Sequence, residues 1–160
     1  MRNLTNEQGR SLVEMLAVVS IIGVLTLGAI SATTYGLKSM NLASLYETVE
    51  STASGVSDLY SWSRAYPTEG MGTKIAENDI CEGCTVMGDS AVTDKTPLLK
   101  MTISPDTAEN FQIILTPHGD ANTIPVDICN RLADFTWQNV EWDESNTCSE
   151  GTTQITFTAY

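Results

Sequence analysis

Glu14 stands at the threshold of a long apolar run, and a carboxylate in that position demands a purpose. Within a bilayer it costs about 2.5–3.5 kcal/mol on insertion scales, so it needs a partner. Arg10 lies four residues earlier and can meet it on one helix face. Cys81-Glu82-Gly83-Cys84 has three readings: a small loop disulfide, half of a zinc site completed from Cys129, Cys148 and His118, or a redox pair. A redox pair wants a thioredoxin-like βαβ setting, which the surrounding sequence lacks, and in an oxidising compartment the loop disulfide is the default. Cys129 and Cys148 lie 19 apart, and closing a loop of that size is worth about 3 kcal/mol in the chain-entropy model. Glu141, Asp143, Glu144, Asn146 and Glu150 make a carboxylate-rich loop beside Cys148. Hard cations such as calcium take clustered oxygens, but the spacing fits no EF-hand, and a solvated acidic loop is the simpler reading. His118 is the sole imidazole, set between Pro117 and Gly119 with no serine or cysteine arrangement near it in sequence. It reads as a surface turn residue, and neither an enzyme nor a bound metal or cofactor is expected.

The elements that must position these residues follow from composition and periodicity. The chain has 160 residues and a formal charge of −12, from 8 basic and 20 acidic side chains, which suits one globular unit with an appendage. The charge is uneven. Residues 1–38 carry +1, whereas residues 39–160 hold 5 basic against 18 acidic side chains and carry −13. Nucleic-acid binding through a basic face is therefore excluded as a reading, since phosphate contacts need clustered Lys or Arg. From Leu12 to Ile30, 14 of 19 residues are Leu, Ile, Val, Ala or Met, and the 23 residues from Met15 to Leu37 are uncharged. About 20 apolar residues span a bilayer as a helix. A secretory signal peptide is the competing reading, but the run exceeds the ~7–15 residues of such a segment and carries Glu14 at its start. Arg2 and Arg10 precede the span and the acidic bulk follows it, so the positive-inside rule places the amino terminus in the cytoplasm.

The helical pattern continues beyond the span. Leu42, Leu45, Val49, Ala53, Val56 and Tyr60 recur every three or four residues, and no proline appears before Pro67. The spacing predicts one helix over residues 10–62, with a transmembrane half at about 12–35 and an amphipathic half at about 36–62 laid on a sheet. Such a helix would be roughly 75 Å long. Tyr46, Tyr60 and Trp62 are expected to pack between helix and sheet. Residues 63–97, with Pro67, Gly70, Gly72, Gly83, Gly88 and Pro97, are expected to form a connecting loop sparse in regular structure. Residues 98–160 turn to β texture: Leu99–Ser104, Phe111–Thr116, Asn139–Trp142 and Gln154–Tyr160 are predicted strands. Between them a short helix after Pro125 puts positions 128, 129, 132 and 135 on one face. The order predicts an α+β fold, a long amino-terminal helix packed on a small antiparallel sheet.

Gly9-Arg10-Ser11-Leu12-Val13-Glu14 followed by an apolar helix resembles the cleavage and methylation motif of type IV prepilins and pseudopilins. The resemblance covers residues 9–35 closely and beyond residue 60 only in architecture. It implies a leader of residues 1–9, cleavage between Gly9 and Arg10, and methylation of the new amino terminus at Arg10. Glu14, five places after the cut, would register each incoming subunit by pairing with a neighbour's amine. Arg10 departs from the aromatic or aliphatic residue usual there. Its guanidinium would snorkel to headgroups before assembly and share the Glu14 carboxylate afterwards. The family's proline near the position of Ser31 is absent. Gly23 and Gly28 mark either the stretch where the helix melts on packing, at about 1 kcal/mol per glycine, or close helix contacts in the membrane. A Cys129–Cys148 disulfide enclosing the carboxy-terminal region is similar to that of pilins. The helix within that loop is type IVb-like, while the short leader is type IVa-like.

The function that the resemblance implies is a structural subunit of a pilus-like filament. It would be inserted in the bacterial inner membrane as precursor and then assembled into an extracellular pilus, with a homopolymer, a prepilin peptidase, an assembly ATPase, a platform protein and, in a diderm, a secretin as partners. The alternatives are a periplasmic pseudopilin of a type II secretion system and an uncleaved single-span protein with an acidic binding head.

Overall fold

The computed structural model describes the backbone of residues 5–63, 65–119 and 121–160, with side chains from Leu12 onward in that range. It divides into two units, Met1–Met40 and Asn41–Tyr160. Helix α1 (Thr5–Tyr60) runs unbroken through Gly23 and Gly28 and contributes to both. With no proline in its length, nothing removes an i→i−4 hydrogen bond.

In the second unit, α1 is followed by α2 (Met71–Glu77), β1 (Thr85–Met87), β2 (Ser90–Thr93), β3 (Leu99–Pro105), β4 (Phe111–Pro117), α3 (Val126–Ala133), β5 (Val140–Trp142) and β6 (Ile155–Ala159). The six strands form one antiparallel sheet in the order β1-β2-β3-β4-β6-β5. The predicted α+β layout, a long apolar helix with an antiparallel sheet, is thus present. Strands β3 and β4 bury alternate residues, as a sheet with one covered face must. The register aligns Ile103 with Ile113 and Ile113 with Phe157, and Met101 with Leu115 and Leu115 with Ile155. These rows join Leu42, Leu45, Val49, Ala53 and Val56 of α1 in one hydrophobic core. Spacings of three and four keep that stripe on one side of the helix.

The segment 63–97 corrects the expectation of a loop sparse in regular structure, since it carries α2, β1 and β2. Gly88, in the left-handed region at φ 65°, and Asp89 turn the β1–β2 hairpin, with Met87 opposite Ser90. Asp89 then fastens the hairpin to α2: its Oδ1 accepts from the Gly70 amide at 2.8 Å and its carbonyl from the Gly72 amide at 2.8 Å. A side chain on Gly72 would collide with the Ser90 carbonyl, so the approach of α2 to β2 requires glycine. Two aromatic expectations are also corrected. Trp62 is 97% exposed, because α1 ends at Tyr60 and the chain turns away from the stripe. Phe135 lies beyond the end of α3 and is 37% exposed, stacked on Tyr46 with ring centroids 4.0 Å apart. Tyr46 and Tyr60 do pack against the core.

Candidate functional site

The part of the molecule that most needs an explanation is α1 from Leu12 to Met40. Every residue in it is exposed, including Leu16, Val19, Ile22, Leu25, Ile30 and Leu37. It is long and apolar enough to cross a membrane, and none of its apolar window is buried. An isolated soluble domain does not leave so continuous an apolar surface in water. Its hydroxyl side chains turn back onto the helix backbone. The hydroxyls of Ser20, Thr26, Ser31, Thr33 and Thr34 donate to the carbonyls of Leu16, Ile22, Leu27, Ala29 and Ile30, each four residues back. No hydroxyl of this set needs an outside partner. A Cβ added at Gly23, Gly28 or Gly36 would meet nothing within 4 Å, so their faces are free to receive another chain closely. Glu14 lies on this same exposed stretch. Gly9 and Arg10 fall in the helical backbone, and their roles in cleavage, methylation and pairing with Glu14 lie outside the described side chains.

The four cysteines form two disulfides, Cys81–Cys84 and Cys129–Cys148, with Cα separations of 5.6 and 5.5 Å. Sulfurs in disulfides do not ligate zinc, so the zinc reading of the four cysteines and His118 falls. Cys129 is buried on the core face of α3 with Ile128 and Leu132, and Cys148 ties the chain after β5 to it.

The acidic loop spends its polar groups locally. Asp143 Oδ1 accepts from the Ser145 amide at 2.8 Å, and the Ser145 hydroxyl and amide hold the Asp143 carboxyl below its ordinary value. Asn146 binds β6 through its amide, donating to Thr156 O at 2.6 Å and accepting from Thr156 N at 2.9 Å. It thereby takes the place of a strand neighbour at that residue. Tyr160 donates to Glu141 Oε2 at 3.0 Å, which raises the phenol's pKa. Among the described residues no group of three or more His, Cys, Asp or Glu is arranged to hold a metal ion. His118 is exposed, with Nε2 3.1 Å from the Asp94 carbonyl.

One anchor of the head went unseen in the sequence. Glu50, on α1, accepts from the Gln138 amide at 2.6 Å, the Asn139 amide at 3.0 Å and Asn139 Nδ2 at 2.8 Å. One carboxylate thus holds the start of β5. Beside it Tyr46 donates to Arg131 O at 2.9 Å and touches Trp137 edge-on. Burial raises the Tyr46 phenol's pKa, partly offset by the Arg131 charge. No local pattern marks these residues, because their partners lie more than 80 positions away.

Comparison of the chain with protein-family models, with curated proteins and with solved structures gives no match in any of the three.

Proposed function

We propose that the chain is the structural subunit of a type IV pilus-like filament, cut after Gly9, methylated at Arg10 and polymerised through the apolar half of α1. The observation that carries the reading is the uncovered apolar helix from Leu12 to Met40, led by Gly9-Arg10-Ser11-Leu12-Val13-Glu14 and continuous with a stripe buried under an antiparallel sheet. Before assembly the bilayer covers that surface. In the filament, helices of other copies replace the lipid, and the Glu14 carboxylate pairs with the amino terminus of a neighbouring subunit. The open faces at Gly23, Gly28 and Gly36 suit close helix contact. The disulfide-bonded, acidic second unit forms the outer surface, where its charge keeps filaments apart and soluble. A prepilin peptidase, an assembly ATPase, a platform membrane protein and, where there is an outer membrane, a secretin complete the route.

The test is an intact mass, without reduction, of protein sheared from the surface of native cells. The expected mass is that of Arg10–Tyr160 with one added methyl and two disulfides. Full-length chain confined to the envelope would end the proposal in favour of a tethered single-span protein. A processed chain that never reaches the sheared fraction would move the assignment to a pseudopilin of the periplasm.

A further inference from the structure

We infer that the Cys81–Cys84 disulfide is an exchangeable bond, opened and closed by dithiols while the fold stays intact, and that it fastens the β1–β2 edge of the sheet. The two disulfides differ in what they hold. Cys129–Cys148 spans 19 residues and joins α3 to the chain beyond β5. Cys81–Cys84 spans 3 and joins two ends of a single turn. Loop-closure entropy grows with the logarithm of loop length, so opening the short ring releases about half as much of the unfolded chain's freedom. Each bond has one half-buried residue, Cys84 and Cys148, and burial alone does not separate them.

The turn also keeps its shape without the bond. The Thr93 hydroxyl donates to Glu82 O at 2.7 Å, the Cys84 amide donates to Cys81 O at 3.3 Å, and the Ile80 amide donates to Ile75 O at 3.3 Å. Cys81 itself is anchored in the hydrophobic core. The thiols of the opened ring therefore stay close enough to close again. Cys81 further lines a cavity of about 130 Å³ with Lys95, Glu82, Thr96, Ser44 and Thr48. The Lys95 stem lies across Gly83, inside the ring: a Cβ on that glycine would sit 2.9 Å from Lys95 Cγ. A lysine cation beside the ring favours the departure of a sulfur as thiolate.

The exchange needs a dithiol as reductant. One of its thiolates attacks Cys84 Sγ, an S–S bond forms to Cys84, and the Cys81–Cys84 bond breaks with its electron pair leaving on Cys81. The second thiolate of the dithiol then attacks the sulfur that the first used, closes a cyclic disulfide and releases Cys84. Two electrons pass from dithiol to protein, and the dithiol's two protons end on Cys81 and Cys84. An oxidised dithiol reverses both steps. What changes is the edge of the sheet. Thr85 follows Cys84 directly and opens β1, whose three residues are all exposed and, among the described strands, pair with β2 alone. With the ring open, that hairpin loses its covalent brace.

The experiment uses the full chain in detergent, equilibrated with graded mixtures of reduced and oxidised dithiothreitol, then trapped with iodoacetamide and mapped by mass. Cys81 and Cys84 are expected to become alkylated at a lower ratio of reduced to oxidised reagent than Cys129 and Cys148. In that half-reduced protein, amide hydrogen exchange should rise over residues 85–93 and stay unchanged over residues 99–117. Both bonds opening at one ratio, or Cys129–Cys148 opening first, overturns the inference, and unchanged exchange over 85–93 overturns the fastener. The double variant Cys81→Ser with Cys84→Ser is a permanently open form and should fold with the exchange pattern of the half-reduced protein. Failure of that variant to fold would make the bond structural and the inference wrong.

Discussion

Helix α1 is one continuous element with two solutions to the problem of apolar surface. Between Asn41 and Tyr60, Leu42, Leu45, Val49, Ala53 and Val56 are buried while Glu47, Ser51 and Asp58 are exposed. Between Leu12 and Met40 the helix is apolar on all sides and buried on none. The first pattern is complete within one chain, because a stripe needs one covering surface and the sheet supplies it. The second cannot be completed by any element of this chain's sheet, because an all-round apolar helix needs an all-round apolar solvent or several helices. The difference separates what the chain covers from what it leaves open: the stretch 41–60 builds the core of the head, and the stretch 12–40 keeps its apolar surface exposed at a length and hydropathy sufficient to cross a membrane.

The largest expected effect tests that separation at Glu14. Glu14→Ala should leave membrane insertion and cleavage after Gly9 intact and reduce filaments to a small fraction or none, read by counting filaments in sheared preparations. Normal filaments would break the assignment of the amino-terminal half to charge-registered assembly. A Gly9 replacement should block processing and leave a subunit nine residues too long.

A paired substitution compares the two halves directly. Leu45 is fully buried, and Leu45→Ala should destabilise the head by about 2–5 kcal/mol in chemical denaturation. Leu25, 66% exposed, should change head stability by no more than about 0.5 kcal/mol on replacement by alanine, and show its effect in assembly instead. Equal losses of head stability would show that the two stretches are not energetically distinct.

Two smaller effects sharpen the account of the head. Glu50→Ala removes the acceptor of three N–H groups and should cost about 1–3 kcal/mol, with faster amide exchange at Gln138 and Asn139. Protection unchanged at those amides would mean that β5 is held by β6 alone. Tyr60 gives the smallest effect. Its hydroxyl is buried without a hydrogen-bond partner among the described residues, and burial raises its pKa above the ordinary 10.0. The folded state therefore favours the neutral phenol. Its contribution is fully present below pH 10 and is lost as pH rises through the raised value. Tyr60→Phe should be neutral or slightly stabilising near pH 7 and should flatten the loss of stability in alkaline melts. A steeper alkaline loss in the variant would contradict that sign.

Much of this architecture was legible in residue spacing. The stripe of α1, the alternation in β3 and β4 and the short helix after Pro125 are local patterns, and each appears close to where periodicity put it. The β1–β2 hairpin is also written locally, in a Gly-Asp pair between β-prone runs, although the glycines around it favour a loop by composition. What spacing did not carry were contacts between distant residues: Glu50 on the amides of 138 and 139, Asp89 under α2, and Asn146 completing the edge of β6. Trp62 shows the converse, since its side chain invited a packing role that the end of α1 denies it.

By itself the sequence determined that an uncharged apolar helix leads into an acidic head, that Glu14 stands at its threshold, and that a stripe and alternating strands must meet. Those features depend on neighbours within four residues, where backbone geometry sets which side chains share a face. Only the tertiary structure decided which strands pair, that β6 lies between β4 and β5, and which carboxylate anchors the start of β5. Those choices rest on groups that come together only when the chain closes on itself, and their energies are set by burial and by hydrogen-bond partners that no local window contains.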